Sequence, residues 1–226
     1  MTVGLAERIA LVEYAVVDAA RRAGRSRADV QLLAVSKTVD AAVIRDARQL
    51  GLCAFGENRA QDLVMKAGAL AVTLPDAPCT WHMIGALQRN KVAMLAPEVA
   101  LWHTVDRVAL IDELARRAPG ARVLLEVNIA SEVGKAGCAP SSVSELRDYA
   151  AANGLVVAGL MCIPPALDDP RPHFEWMAKC AQRESLLELS MGMSNDFAIA
   201  IEYGATIVRI GTAIFGPRPS PDGARN

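Results

Sequence analysis

The sequence predicts a single (β/α)8 TIM barrel preceded by one extra helix, on three observations. Short apolar runs bounded by polar residues alternate with stretches of helical apolar spacing, eight times over, after one leading helix. No hairpin signal separates two successive runs, so the strands are parallel and joined by helical crossovers. No G-x-G-x-x-G follows the first run, which weakens the open dinucleotide-binding sheet, and eight unbroken units fit a closed barrel of ~250 residues. The 226 residues leave nothing for a second domain.

Residues 3–23 open the chain as a helix with Leu5, Ile9, Val12 and Val16 on one face. VQLLAVS (30–36) is the first buried strand, and Asp40 is the expected N-cap of AAVIRDARQLG, a helix stopped by Gly51. CAFG (53–56) then precedes the helix NRAQDLVMKAGAL, and WHMIG (81–85) precedes a helix over 86–95. LWHTV (101–105) precedes DRVALIDELARRA, with Asp106 as the expected cap. RVLLEVNIA (122–130) precedes a helix starting near Ser141 and Ser142, and LVVAGLMCI (155–163) precedes HFEWMAKCAQRESL. ELSMG (188–192) precedes NDFAIAIEYG, and TIVRIG (206–211) precedes the short TAIFG. The tail PRPSPDGARN (217–226) reads as a flexible end.

Composition narrows the function. Apolar residues are 52% and charged residues 22%, enough for a core, while aromatics at 4% leave that core to Ala, Val, Leu and Ile. A net charge of -1 without a basic cluster argues against a nucleic-acid partner and for a small one. The five cysteines are widely and irregularly spaced with no C-x-x-C, so neither a disulfide framework nor a zinc ribbon is expected. Glu7, Arg8, Glu13 and Asp18 interrupt any signal segment, and no apolar stretch reaches the ~20 residues of a membrane span. A cytoplasmic protein without membrane contact is expected.

Chemistry in such a barrel sits where strands end and βα loops begin. Lys37 ends the first strand, so its amine projects into the mouth, where partial desolvation lowers its pKa and frees it to attack a carbonyl. A plain solvated lysine is the alternative. Ser194 and Thr212 stand at the helix starts after strands seven and eight, beside Gly211, where a barrel of this kind holds phosphate. Simple N-capping would explain either hydroxyl alone. Arg209 faces the same side as Gly211, toward a ligand or toward a buried carboxylate such as Glu126. His82 and His103 each follow a Trp and read as packed, hydrogen-bonded histidines, and no pair of histidines has metal spacing. Cys138 follows a glycine-bearing loop that would leave it exposed.

A strand-end lysine, a paired phosphate site and an adjacent arginine point to pyridoxal 5'-phosphate (PLP). The blocks AVSKT (34–38), FGENR (55–59), WHMIGALQRNK (81–91), HTVDR (103–107), VNIASEVGKAG (127–137), GLMCIP (159–164), LSMGMSND (189–196) and VRIGTAIFG (208–216) resemble the YggS/PROSC family of pyridoxal phosphate homeostasis proteins, in the family's order. The resemblance implies a barrel similar to the N-terminal domain of alanine racemases, without their second domain. It implies Lys37 as the Schiff-base lysine, Ser194, Gly211 and Thr212 around the phosphate, Arg209 at the pyridine nitrogen, and Asn58 and His82 lining the site. It also leans toward a monomer; the partners expected are PLP and apo PLP-dependent enzymes, and the histidine spacing gives no reason to expect a metal. Ala86, Arg89 and Asp62 depart from the family's commonest residues, on helix starts or faces away from these positions.

Of three readings, the sequence favours a non-catalytic PLP carrier that stores or delivers the cofactor, because an arginine at the ring nitrogen makes a poor electron sink. A PLP-dependent amino-acid racemase would need a second base, which racemases resembling this chain draw from their second domain. A cofactor-free aldolase using Lys37 leaves Arg209 without a partner.

Overall fold

In the computed structural model, which describes residues 3–217, eight parallel strands close into a barrel in sequence order. They are β1 (Gln31–Val35), β2 (Ala54–Glu57), β3 (Thr80–Met83), β4 (Val99–Val105), β5 (Arg122–Val127), β6 (Val156–Cys162), β7 (Glu188–Ser190) and β8 (Ile207–Ile210). The ring closes where β1 pairs with β8, in the register Leu33 to Arg209 and Ala34 to Ile210. Helix α1 (Leu5–Arg22) comes first, and α2 (Ala41–Gln49), α3 (Ala60–Thr73), α4 (Val92–Leu95) and α5 (Val108–Arg117) follow the first four strands. Helices α6 (Val143–Ala152), α7 (Arg171–Arg183), α8 (Phe197–Glu202) and α9 (Thr212–Phe215) follow the other four.

Strand alternation sorts the apolar residues into two cores. Leu33, Ala54, Leu101, Leu124, Met161 and Ile207 fill the barrel interior. Their chain neighbours, among them Phe55, Trp102, Leu125 and Val208, turn outward under the helices. Gly159 shows how tightly β6 and β7 approach: a Cβ there would stand 1.8 Å from the Glu188 carbonyl oxygen. The leading helix buries Ile9, Val12, Val16, Ala19 and Ala20, and packs on α8 and α9. Arg8 Nε donates to the Ile214 carbonyl at 2.6 Å and Arg25 to the Ala205 carbonyl at 2.7 Å, so the extra helix is tied to the strand-eight end of the barrel.

Several local expectations are corrected. The helix expected over 86–95 is a single 3-10 turn (Arg89–Lys91) followed by the one-turn α4. Asp40 holds the N-cap position of α2 without making a side-chain cap bond. Asp106 does not cap α5, whose N-cap is Arg107; its carboxylate accepts the Gly137 N–H at 3.3 Å, because the β5–α6 loop folds back over it. The same fold-back buries Cys138, whose N–H donates to the Glu126 carbonyl at 2.8 Å. Burial pushes the thiols of Cys138 and Cys162 up to about 12, so both behave as small apolar residues. The expected tail from 217 lies outside the described residues except for Pro217.

Candidate functional site

The site begins at the end of β1. Leu33 faces the interior, and the same two-residue period carries Val35 and Lys37 up the inner wall to the mouth. Lys37 is half-buried and lines a cavity of about 240 Å³ together with Val35, Thr38, Asp40, Gly211 and Thr212. Gly211 lies against β1, and a Cβ there would stand 3.1 Å from the Val35 carbonyl oxygen. That close approach brings the first turn of α9, where backbone N–H groups lack helical acceptors, to the same hollow as the lysine. Gly211 holds the N-cap position of α9, which makes Thr212 the first residue of that helix.

Below the mouth the interior turns polar. Arg209 on β8 is buried and donates from one guanidinium nitrogen to Ser190 Oγ at 2.7 Å and from the other to the Cys162 carbonyl at 2.8 Å. Ser190 Oγ lies 2.9 Å from His103 Nδ1, and His103 Nε2 lies 2.9 Å from His82 Nδ1. Burial holds His82 down to about 4, with the Arg122 cation adding to it. Burial likewise holds His103 well below its usual value, helped by His82 and Arg209. Both rings are therefore neutral at pH 7, each with one N–H and one acceptor. One assignment gives every proton between them an acceptor: Arg209 donates to Ser190, Ser190 to His103 Nδ1, and His103 Nε2–H to His82 Nδ1. Each donor then points away from the cation, the direction its field favours.

Glu126, on β5, shares this interior and is 7% exposed. Its Oε2 atom is buried without a hydrogen-bond partner. Burial, with the Asp106 carboxylate next, raises its carboxyl to about 7 against the pull of Arg209. Among the described residues, no three His, Cys, Asp or Glu side chains stand close enough to hold a metal ion. No helix among them is long and apolar enough to cross a membrane.

The alanine racemase N-terminal domain family model matches residues 16–219. A pyridoxal phosphate homeostasis protein of Aquifex aeolicus (strain VF5) is 44% identical, over 94% of this chain and 97% of that protein. The chain belongs to the pyridoxal phosphate homeostasis protein family. The structure of PipY from Synechococcus elongatus PCC7942, solved with PLP bound, superposes with a TM-score of 0.79 at 33% identity, over 94% of this chain and 100% of that one. Alanine racemase from Corynebacterium glutamicum, at 16% identity and a TM-score of 0.65, shares the fold over 93% of this chain and 62% of its own.

Within this family member the structure brings three of the sequence-derived residues, Lys37, Gly211 and Thr212, to one cavity. Arg209 sits in the interior beneath, and the ion pair with Glu126 does not form. Ser194 lies in the turn after β7, half-buried and outside that cavity's lining. The helix beyond it starts at Phe197, because Asp196 Oδ1 accepts the Met193 N–H at 2.6 Å and holds 194–196 as a turn. Asn58 is exposed past β2, its backbone pressed so closely on Gly85 that a Cβ there would lie 2.2 Å from the Asn58 carbonyl oxygen. His82 is enclosed in the interior and bonded to His103, not in the cavity wall. Sequence reasoning missed Ser190 and, in the buried trio Ser36, Glu57 and Lys66, all but Glu57, which is legible as the residue that ends β2. Ser190 could have been found from strand parity, two residues before Gly192, whereas Lys66 looks like any helix-surface lysine.

Proposed function

We propose that this protein binds PLP through Lys37 and keeps the cofactor for storage or delivery, without turning over a substrate. The observation that carries this reading is the half-buried Lys37 sharing one cavity with Gly211 and Thr212, with the Arg209 cation beneath. An amine at that place holds an aldehyde as a Schiff base, with loss of one water. The Thr212 hydroxyl and the first-turn N–H groups of α9 receive the phosphate, with Ser194 approaching from the β7 side. Arg209 has five N–H groups and its two recorded bonds leave the fork able to donate to the ring nitrogen. Asn58 and His82 stand outside the lining of that cavity, and in this reading they support the site from its periphery.

PLP supplies an electrophilic carbon and, when its ring nitrogen is protonated, an electron sink. Arg209 can donate a hydrogen bond to that nitrogen but cannot surrender a proton at neutral pH. The buried guanidinium therefore favours retention of the cofactor over carbanion chemistry. Apo PLP-dependent enzymes are the proposed recipients. One observation favours a racemase-like alternative: Glu126, titrating at about 7, can exchange a proton at neutral pH. Incubation of the PLP-loaded protein with L- or D-alanine in deuterated water separates the two. The carrier reading expects no deuterium at the α-carbon, and steady incorporation with racemisation overturns it.

A further inference from the structure

Behind Lys37, on the side of β1 that faces α3, a second lysine is enclosed with a carboxylate. The Lys66 side chain on α3 is 6% exposed and that of Glu57, at the end of β2, is 0% exposed. Lys66 Nζ donates to Glu57 Oε1 at 2.7 Å and to the Ser36 carbonyl at 2.8 Å. Ser36 Oγ donates to the same Glu57 oxygen at 2.6 Å. The Ser36 carbonyl also accepts the Val39 N–H at 3.0 Å. This carbonyl belongs to the peptide that joins Ser36 to Lys37, so two donors fix the plane from which the reactive lysine departs.

The next residue shows that the turn is held under constraint. Thr38 has φ of +65°, in the left-handed region that a β-branched side chain enters only where its surroundings over-determine it. Stability is a weak reason to bury such a pair, since the loss of hydration consumes most of the Coulomb gain and apolar replacements are often as stable. Function explains it better. Reaction of an amine with an aldehyde depends steeply on the direction and distance of approach.

We propose that the Ser36–Glu57–Lys66 cluster is a positioning device for Lys37, fixing the strand-end peptide so that its amine meets the cofactor aldehyde in one orientation. This rests on the reading that Lys37 binds PLP. Lys66 is not a second attachment point, because its nitrogen is enclosed and engaged on both the carboxylate and the carbonyl.

The test compares the parent protein with the double variant Glu57→Gln/Lys66→Met, which removes both charges together and strands neither. The readouts are thermal unfolding, the rate at which PLP becomes trappable on Lys37 by borohydride, and affinity for pyridoxine 5'-phosphate. That analogue has the ring and phosphate but no aldehyde, so it reports on the rest of the site without Lys37 chemistry. The proposal expects PLP capture slowed about tenfold or more, with analogue affinity within about twofold of the parent. An unchanged capture rate, with only the unfolding midpoint lowered, makes the cluster structural and overturns the proposal. A parent protein that gives no adduct on Lys37 overturns both this proposal and the function it rests on. If the double variant does not fold, Ser36→Ala removes one hydrogen bond and no charge, and about threefold slower capture is expected. An unchanged rate in that variant overturns the proposal.

Discussion

Replacing Arg209 by methionine separates its two roles. The side chain makes two internal hydrogen bonds, to Ser190 Oγ at 2.7 Å and to the Cys162 carbonyl at 2.8 Å. Each is charge-assisted, and such bonds contribute ~1.5–3 kcal/mol. Against that loss, methionine fills nearly the same volume and needs no desolvation of a buried cation, a change that is often close to neutral. The net effect on stability is expected within ~2 kcal/mol, or ~4–8 °C in the unfolding midpoint of a chain this long. The bound cofactor loses one charge-assisted bond with nothing in exchange, ~1.5–3 kcal/mol, so its Kd rises ~10- to 150-fold. His103 also becomes easier to protonate, since the Arg209 cation adds to the burial that holds it neutral. Spectral titration with PLP beside a thermal melt reads both effects. A Kd within about twofold of the parent, accompanied by a large loss of stability, would refute the reasoning and make Arg209 purely architectural.

Glu126 sets one pH dependence. Its carboxyl is raised from 4.5 to about 7, so the folded state binds more protons than the unfolded chain between those values. Its contribution is complete below 4.5 and lost as pH rises through 7. Glu126→Gln is therefore expected to be more stable than the parent at pH 8, by up to ~3 kcal/mol, measured by denaturant unfolding. No gain would show that the carboxyl finds a partner in solution. His82 acts in the opposite sense: lowered from 6.5 to about 4, it stabilises the fold above 6.5 and loses that contribution as pH falls through 4. His82→Asn, whose carbonyl can still accept from His103, should flatten the parent's decline over that window in melts run at several pH values. Gly159→Ala would force a Cβ to within 1.8 Å of the Glu188 carbonyl oxygen, so β6 and β7 must part. We expect little folded protein by circular dichroism, and a normal cooperative melt would contradict the packing described.

The sequence announced the barrel because each strand is a short apolar run and each crossover keeps a helical period, both local signals. Lys37, Gly211 and Thr212 were legible for the same reason, as positions one or two residues past a strand whose parity is known. What escaped depends on barrel closure and on neighbours far apart in the chain. His103 meets Ser190 across 87 residues, and Lys66 reaches the Ser36 carbonyl across 30, with no spacing rule to connect them. Asp106 looked like a cap because its type and place fit one, yet a loop N–H from Gly137 takes its carboxylate. The inward face of Arg209 follows from its two-residue spacing to Gly211, but the spacing leaves both a ligand and a carboxylate such as Glu126 open as acceptors. The structure adds two internal acceptors that no local pattern announces, the Ser190 hydroxyl and the Cys162 carbonyl.

The most direct test of the central claim is the visible absorption spectrum of the purified protein with PLP, before and after borohydride, followed by peptide mapping. The account predicts a yellow protein that bleaches and carries the pyridoxyl group on Lys37, and a Lys37→Ala variant that folds without the visible band. A protein that stays colourless with added PLP, or a Lys37→Ala variant that keeps the band, would contradict it.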